Sequence, residues 1–243
     1  MTARIDTEGA ELPALMKFGP EIWTADGPVV TAAGGFHYPT RAVVIRLSNG
    51  GIFVYSPIAL TNGLRAAVDA LGDVQYLIAP NSLHHMFIAE WKEAYPRART
   101  YAAPGLRDKR KDLAFDGDLG EAPFPAWSGD IDQVIIQGNL ITSEVVFFHH
   151  ASRTAVFTDL IQQLPADWFA GWRAIVAKWD LMIGREPSVP RKFRVTFTNR
   201  RVARDAVKRI LAWPTDKVLM AHGKPVIEDG RVFLRRAFKW LVP

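Results

Sequence analysis

Short strand-like apolar runs, with β-branched alternation around a hairpin, come first along the chain. Residues 21–30 (EIWTADGPVV) read as two strand pieces around an Asp26–Gly27 turn. Residues 41–47 (RAVVIRL) and 52–57 (IFVYSP) flank Ser48-Asn49-Gly50-Gly51, and Asn-Gly between apolar runs predicts a hairpin. The period then lengthens. Thr61 can cap a helix over 62–72 that Gly72 stops. A short continuous apolar run at 74–80 (VQYLIAP) fits a strand buried on both faces. Helical spacing over 84–96 puts Phe87, Trp91 and Ala94 on one side, and residues 99–104 form a further strand. The polar, Gly/Pro-punctuated stretch 105–127 is a loop with a short helix at most.

The second half repeats the theme. Runs at 132–138, 143–150 and 153–160 predict a three-stranded meander. Over 166–184 a helix is predicted, with Trp168, Trp172, Ile175, Val176, Trp179 and Met182 on one stripe that should face the core. A second helix over 198–213, capped by Thr198 or Asn199, precedes a last strand at 217–226. No linker or tandem repeat divides the chain. These elements predict an α/β (α+β) fold with two sheets in a single domain spanning 1–243.

The totals narrow the function. Of 243 residues, 30 are basic and 25 acidic, a net charge of +5 that favours anionic partners only slightly and predicts no nucleic-acid binding by itself. The basic residues Arg200, Arg201, Arg204, Lys208 and Arg209 read as one solvated helical side. The chain has no cysteine, which excludes disulfides, thiolate metal sites and a cysteine nucleophile. Residues 1–18 carry Asp6, Glu8 and Glu11 and read as no signal peptide, and no run is long enough to span a bilayer. A membrane partner is not expected: the helix at 166–184 offers only Arg173 and Lys178 on its polar side. A cytoplasmic protein is the expectation.

The chemistry lies in six histidines. His84 and His85 follow one apolar strand, His149 and His150 end another, and His222 ends a third; Asp159 closes a fourth. His37 falls in a loop. Polar groups at strand ends converge on one rim in layered α/β proteins, and imidazoles with a carboxylate suit zinc, iron or manganese. His149 and His150, within FFHHASRT, read as exposed residues of a hairpin turn.

The order of these pieces resembles the metallo-β-lactamase superfamily. IAPNSLHH stands where that family has a His-rich motif, FTDL matches its bridging-Asp strand, and AVKRILAWPTDKVLMAHGKPV is similar to its closing helix, strand and His-Gly. EIWTADGPVV, PNSLHHMFIAEW, YPRARTYAAPGLRDKR and EVVFFHHASRTAVFTDL resemble more narrowly an uncharacterised, domain-of-unknown-function branch. The resemblance implies a four-layer αββα sandwich: two mixed sheets flanked by helices. It also implies departures. Pro80 and Ser82 fall where two metal-binding histidines would stand, and Gly138-Asn139 where the Gly-His motif would. Tyr55-Ser56 falls at the early-strand Asp. One metal position is then lost. The other survives as His84, His85, Asp159 and His222, holding one divalent ion, zinc first and iron or manganese as alternatives. Asp159 would also orient a water for hydrolysis of a small ester, lactone, amide or phosphoester, with an anionic substrate as one candidate. The alternative is a metal-poor scaffold of the same fold.

Overall fold

The computed structural model describes residues 4–5 and 15–243. Most of the acidic N-terminal stretch, Asp6, Glu8 and Glu11 included, lies outside them. Two compact units contain the described chain: residues 1–120 with 124–130, and 121–123 with 131–243.

Among the described residues the first unit is one mixed sheet with three α-helices. Its strands are β1 (Arg4–Ile5), β2 (Met16–Gly19), β3 (Ile22–Thr31), β4 (His37–Arg46), β5 (Ile52–Tyr55), β6 (Val74–Ala79), β7 (Arg99–Ala102) and β8 (Gly117–Asp118). The helices are α1 (Asn62–Asp69), α2 (Ile88–Ala94) and α3 (Leu106–Lys109). Strand order is β1-β3-β4-β5-β6-β7-β8, with β2 also on β3. Strands up to β5 pair antiparallel, and β5 to β8 pair parallel.

The predicted hairpin is present: Leu47 N–H donates to Gly51 O at 2.9 Å, and Gly50 takes the left-handed φ of 83° that its turn requires. Thr61 caps α1 by accepting from Leu64 N–H. Asp26-Gly27, predicted as a turn, instead lies inside the ten-residue β3, where the register with β4 shifts between Gly27 and Val30. Glycine is needed there for space, since a Cβ would come within 2.5 Å of Thr40 Oγ1. Across the strands Asp26 accepts from Arg41 Nε at 2.6 Å. The helix predicted over 84–96 begins later, at Ile88, so both histidines stand in the connection ahead of it. Trp91, on the buried face of that helix, is fully buried and donates to Ile58 O. It joins Val44, Val54, Leu64, Val68 and Leu77 in the unit's apolar core.

The second unit is a four-stranded mixed sheet in the order β12-β11-β10-β9. Its strands are β9 (Ile131–Ile136), β10 (Glu144–His149), β11 (Thr154–Gln162) and β12 (Lys217–His222). The predicted meander is β9 to β11, all antiparallel, and β12 adds parallel to β11. The helices are α4 (Trp172–Trp179), α5 (Arg191–Val195), α6 (Arg200–Ala212) and α7 (Gly230–Ala237). Asn199 caps α6, which buries Ala203, Ala206, Val207 and Ile210 and turns its basic side outward. These side chains pack with Val134, Val146, Phe157, Val218 and Phe233.

Expectations about α4 and β11 fail in this unit. The helix predicted over 166–184 shrinks to eight residues, because Gly171 at φ 59° and Leu181 at φ 63° interrupt helical geometry at either end. Its stripe also faces outward: Trp172, Ile175, Val176 and Trp179 are exposed, and only Met182 of the predicted core set is buried. Asp159 is not the last residue of its strand; β11 continues to Gln162.

Candidate functional site

In the second unit the site begins with an interrupted ladder. Strands β10 and β11 pair in register from His149↔Thr154 to Phe147↔Val156. Continuing that register would set Glu144 opposite Asp159. Instead the Glu144 carboxylate accepts the backbone N–H groups of Thr158, Asp159 and Leu160, at 2.9, 2.8 and 3.0 Å. A side chain thus replaces a strand partner, and N–H groups that burial would strand are satisfied. Glu144 is 0% exposed. Burial, and next the nearby charge of Asp159, push its carboxyl above the ordinary range, against the backbone donors that favour the charged form. On its other side β11 pairs with β12, with a register shift between Phe157 and Gln162. Asp159 sits in this irregular stretch.

His222 is the last residue of β12, as predicted. Its Nε2 lies 3.3 Å from Asp159 Oδ1, with both residues about nineteen-twentieths buried. The chain leaves His222 through Gly223, where a Cβ would stand 2.9 Å from the backbone N and O of Gln163; Gln163 N–H in turn donates to His222 O at 2.7 Å. The strand end is therefore pinned on both sides of the imidazole.

In the first unit His84 is held by its surroundings rather than by a ladder. Its Nδ1 lies 2.8 Å from Ser56 Oγ, which fixes the ring and makes Nε2 the nitrogen suited to a metal. Asn81 shapes the connection, its Oδ1 accepting from Leu83 and His84 N–H, both at 2.8 Å. Ser56 has a left-handed φ of 53°, and its N–H donates to Ile78 O. A non-glycine residue held there marks strain at a supporting position. His85 turns to a different neighbour: its Nδ1 lies 3.0 Å from Arg110. Burial first, then the charges of Lys109 and Arg110, lower its pKa to about 4, so it is neutral near pH 7.

His149 is not the exposed turn residue expected. It is buried, with Nδ1 2.8 Å from Ser152 Oγ, and pairs with Ile131 in the ladder. His150 is partly exposed and pairs with Asp132 at 3.1 Å. His37 opens β4 opposite Thr31. Sequence reasoning missed Glu144, Ser56 and Asn81 as supports. Only Ser56 carried a signal, because it falls where the family resemblance places a supporting acid.

The family model described as Domain of unknown function (DUF4336) matches residues 21–175. The chain belongs to that family. No curated protein matches it. Among solved structures, this DUF4336 chain is similar to the metallo-β-lactamase DIM-1 exposed to ceftazidime, at 15% identity and TM-score 0.63, covering 96% of this chain and 99% of that one. A metallo-β-lactamase from Hirschia baltica is similar at 12% identity and TM-score 0.61, covering 93% and 96%. The metallo-β-lactamase FIM-1 from Pseudomonas aeruginosa, in its mono-zinc form, is similar at 10% identity and TM-score 0.61, covering 95% and 96%. The DUF4336 chain therefore has the metallo-β-lactamase fold, with two mixed sheets flanked by helices. At these identities the likeness carries fold and not activity.

Proposed function

We propose that this protein is a mononuclear metal-dependent hydrolase, residues 1–243 acting as one domain, with His84, Asp159 and His222 as the ligands of one divalent ion. One observation carries the reading: Asp159 Oδ1 and His222 Nε2 lie 3.3 Å apart and almost wholly buried, a donor pair that His84, its Nε2 left for a ligand by the Ser56 contact, would complete. Two imidazoles and a carboxylate suit zinc, with iron or manganese as alternatives, and three protein ligands leave a position open for chemistry. The mono-zinc form of FIM-1 shows that a protein of this fold can hold a single zinc. His85, the fourth ligand expected, is left out of the set because its Nδ1 faces Arg110.

Bound there, the ion would supply Lewis acidity toward water and a substrate oxygen. The chain's own groups do the positioning. Ser56 orients the His84 ring, Glu144 holds the backbone that carries Asp159, and Asp159 contacts His222 and can accept a hydrogen bond from a water. The substrate is a small ester, lactone, amide or phosphoester.

A metal-poor scaffold is the second reading, favoured by the direct Asp159–His222 contact, which satisfies both groups without an ion. Elemental analysis of protein purified without a histidine tag separates the two. About one transition-metal ion per chain is expected, falling to background in His222→Ala and Asp159→Asn, with turnover of an ester, lactone or phosphodiester panel falling alongside. Metal-free wild type whose thermal stability does not respond to added zinc would establish the scaffold.

A further inference from the structure

The outward stripe on α4 has no role in the reading above. Trp172, Ile175, Val176 and Trp179 recur at the spacing of one helical face, and they are 53%, 64%, 42% and 69% exposed; Ala177, on the opposite side, is buried. Four large apolar side chains on one short helix form a contiguous patch of the kind that marks an interaction surface.

The charge around this patch decides what covers it. Residues 171–195, from the start of α4 to the end of α5, hold six basic residues against two acidic ones, a net +4 in a chain whose total is +5. Both acids are already paired: Asp180 with Lys192 at 3.5 Å, and Glu186 with Arg236 at 3.0 Å. Asp180 also joins the two helices, its backbone O accepting from Arg191 N–H and its carboxylate from Lys192 N–H. The cations of α5 are thereby brought to the C-terminal end of α4, beyond the Arg173 and Lys178 that the helix supplies itself. Lys178, Arg185 and Arg191 are exposed.

We propose that this face is a docking surface for an anionic lipid bilayer. The helix lies flat, Ile175 and Val176 enter the acyl boundary, and Trp172 and Trp179 sit at headgroup level at its two ends, where indoles are favoured. The surrounding lysine and arginine heads meet the lipid charge. A second copy of the chain fits less well, because two surfaces of like charge would repel. A nucleic acid would leave the central Ile175 and Val176 without a counterpart. Among the described residues no helix is long and apolar enough to cross a membrane, so the association is peripheral. The proposal stands independently of the metal reading.

Vesicle flotation tests it, using phosphatidylcholine alone and phosphatidylcholine with about one third phosphatidylglycerol. The full chain should float with the anionic vesicles at least about tenfold better than with the neutral ones, and raised salt should weaken that binding. Trp172→Ser with Trp179→Ser should lower it by about tenfold, with the circular-dichroism melt unchanged because both rings are exposed. Vesicles with brominated acyl chains should quench the tryptophan emission of the unmutated protein, a readout that needs no variant. Absence of flotation, unquenched emission, or a dimer that the double variant dissociates in the absence of vesicle binding would each overturn the proposal.

Discussion

Asp159 and His222 stand on adjacent parallel strands and are almost wholly buried, whereas Ser56 and His84 stand on connections that follow strands and rely on side chains for their shape. In the first pair the backbone ladder fails locally, and a buried carboxylate, Glu144, closes the gap with three charge-assisted bonds. In the second, two small polar groups suffice: a hydroxyl on the ring and an amide under the turn. The contrast shows that a candidate ligand can be positioned at very different energetic stakes. All three supports are buried, but a carboxylate that serves three backbone donors leaves more stranded when removed than a neutral amide that serves two.

The largest expected effect is on Glu144. Glu144→Ala should destabilise folding by about 3–5 kcal/mol, read as a lowered midpoint in urea, because three backbone donors lose their acceptor. Glu144→Gln, which keeps one acceptor oxygen, should lose roughly half as much. Next is Ser56→Ala, which should weaken metal affinity by about ten- to a hundredfold in a competition titration while leaving the melting temperature near that of the unmutated protein. The smallest is Asn81→Ala, at about 1–2 kcal/mol, since only two backbone donors, Leu83 and His84 N–H, lose an acceptor and that acceptor is neutral. An Asn81→Ala loss as large as that of Glu144→Ala would erase the distinction between the two pairs.

Local chemistry made much of the architecture readable. Asn49-Gly50 marked the β4–β5 turn, Thr61 and Asn199 announced two helices, and His222 was visible at the end of an apolar run. What stayed hidden depended on partners distant in the chain. A glutamate opening an apolar strand reads as its solvated end; only the departure of β11 from β10 makes Glu144 an interior acceptor. His149 sits in a polar string that looks like a turn, yet the ladder to β9 carries it inward. The α4 stripe was correctly seen as amphipathic, but periodicity reports that a face is apolar and not what covers it. Among the site residues, the adjacency of His84 and His85 suggested a common target, whereas their ring nitrogens find Ser56 and Arg110.

Gly223 sets a rule for anyone who wishes to graft a new specificity segment onto this protein. With the main chain of Gln163 only 2.9 Å from where any side chain would begin, the junction immediately after His222 tolerates no substitution without displacing the backbone that follows β11. Transplanted loops must therefore keep that glycine and start their variation at Lys224.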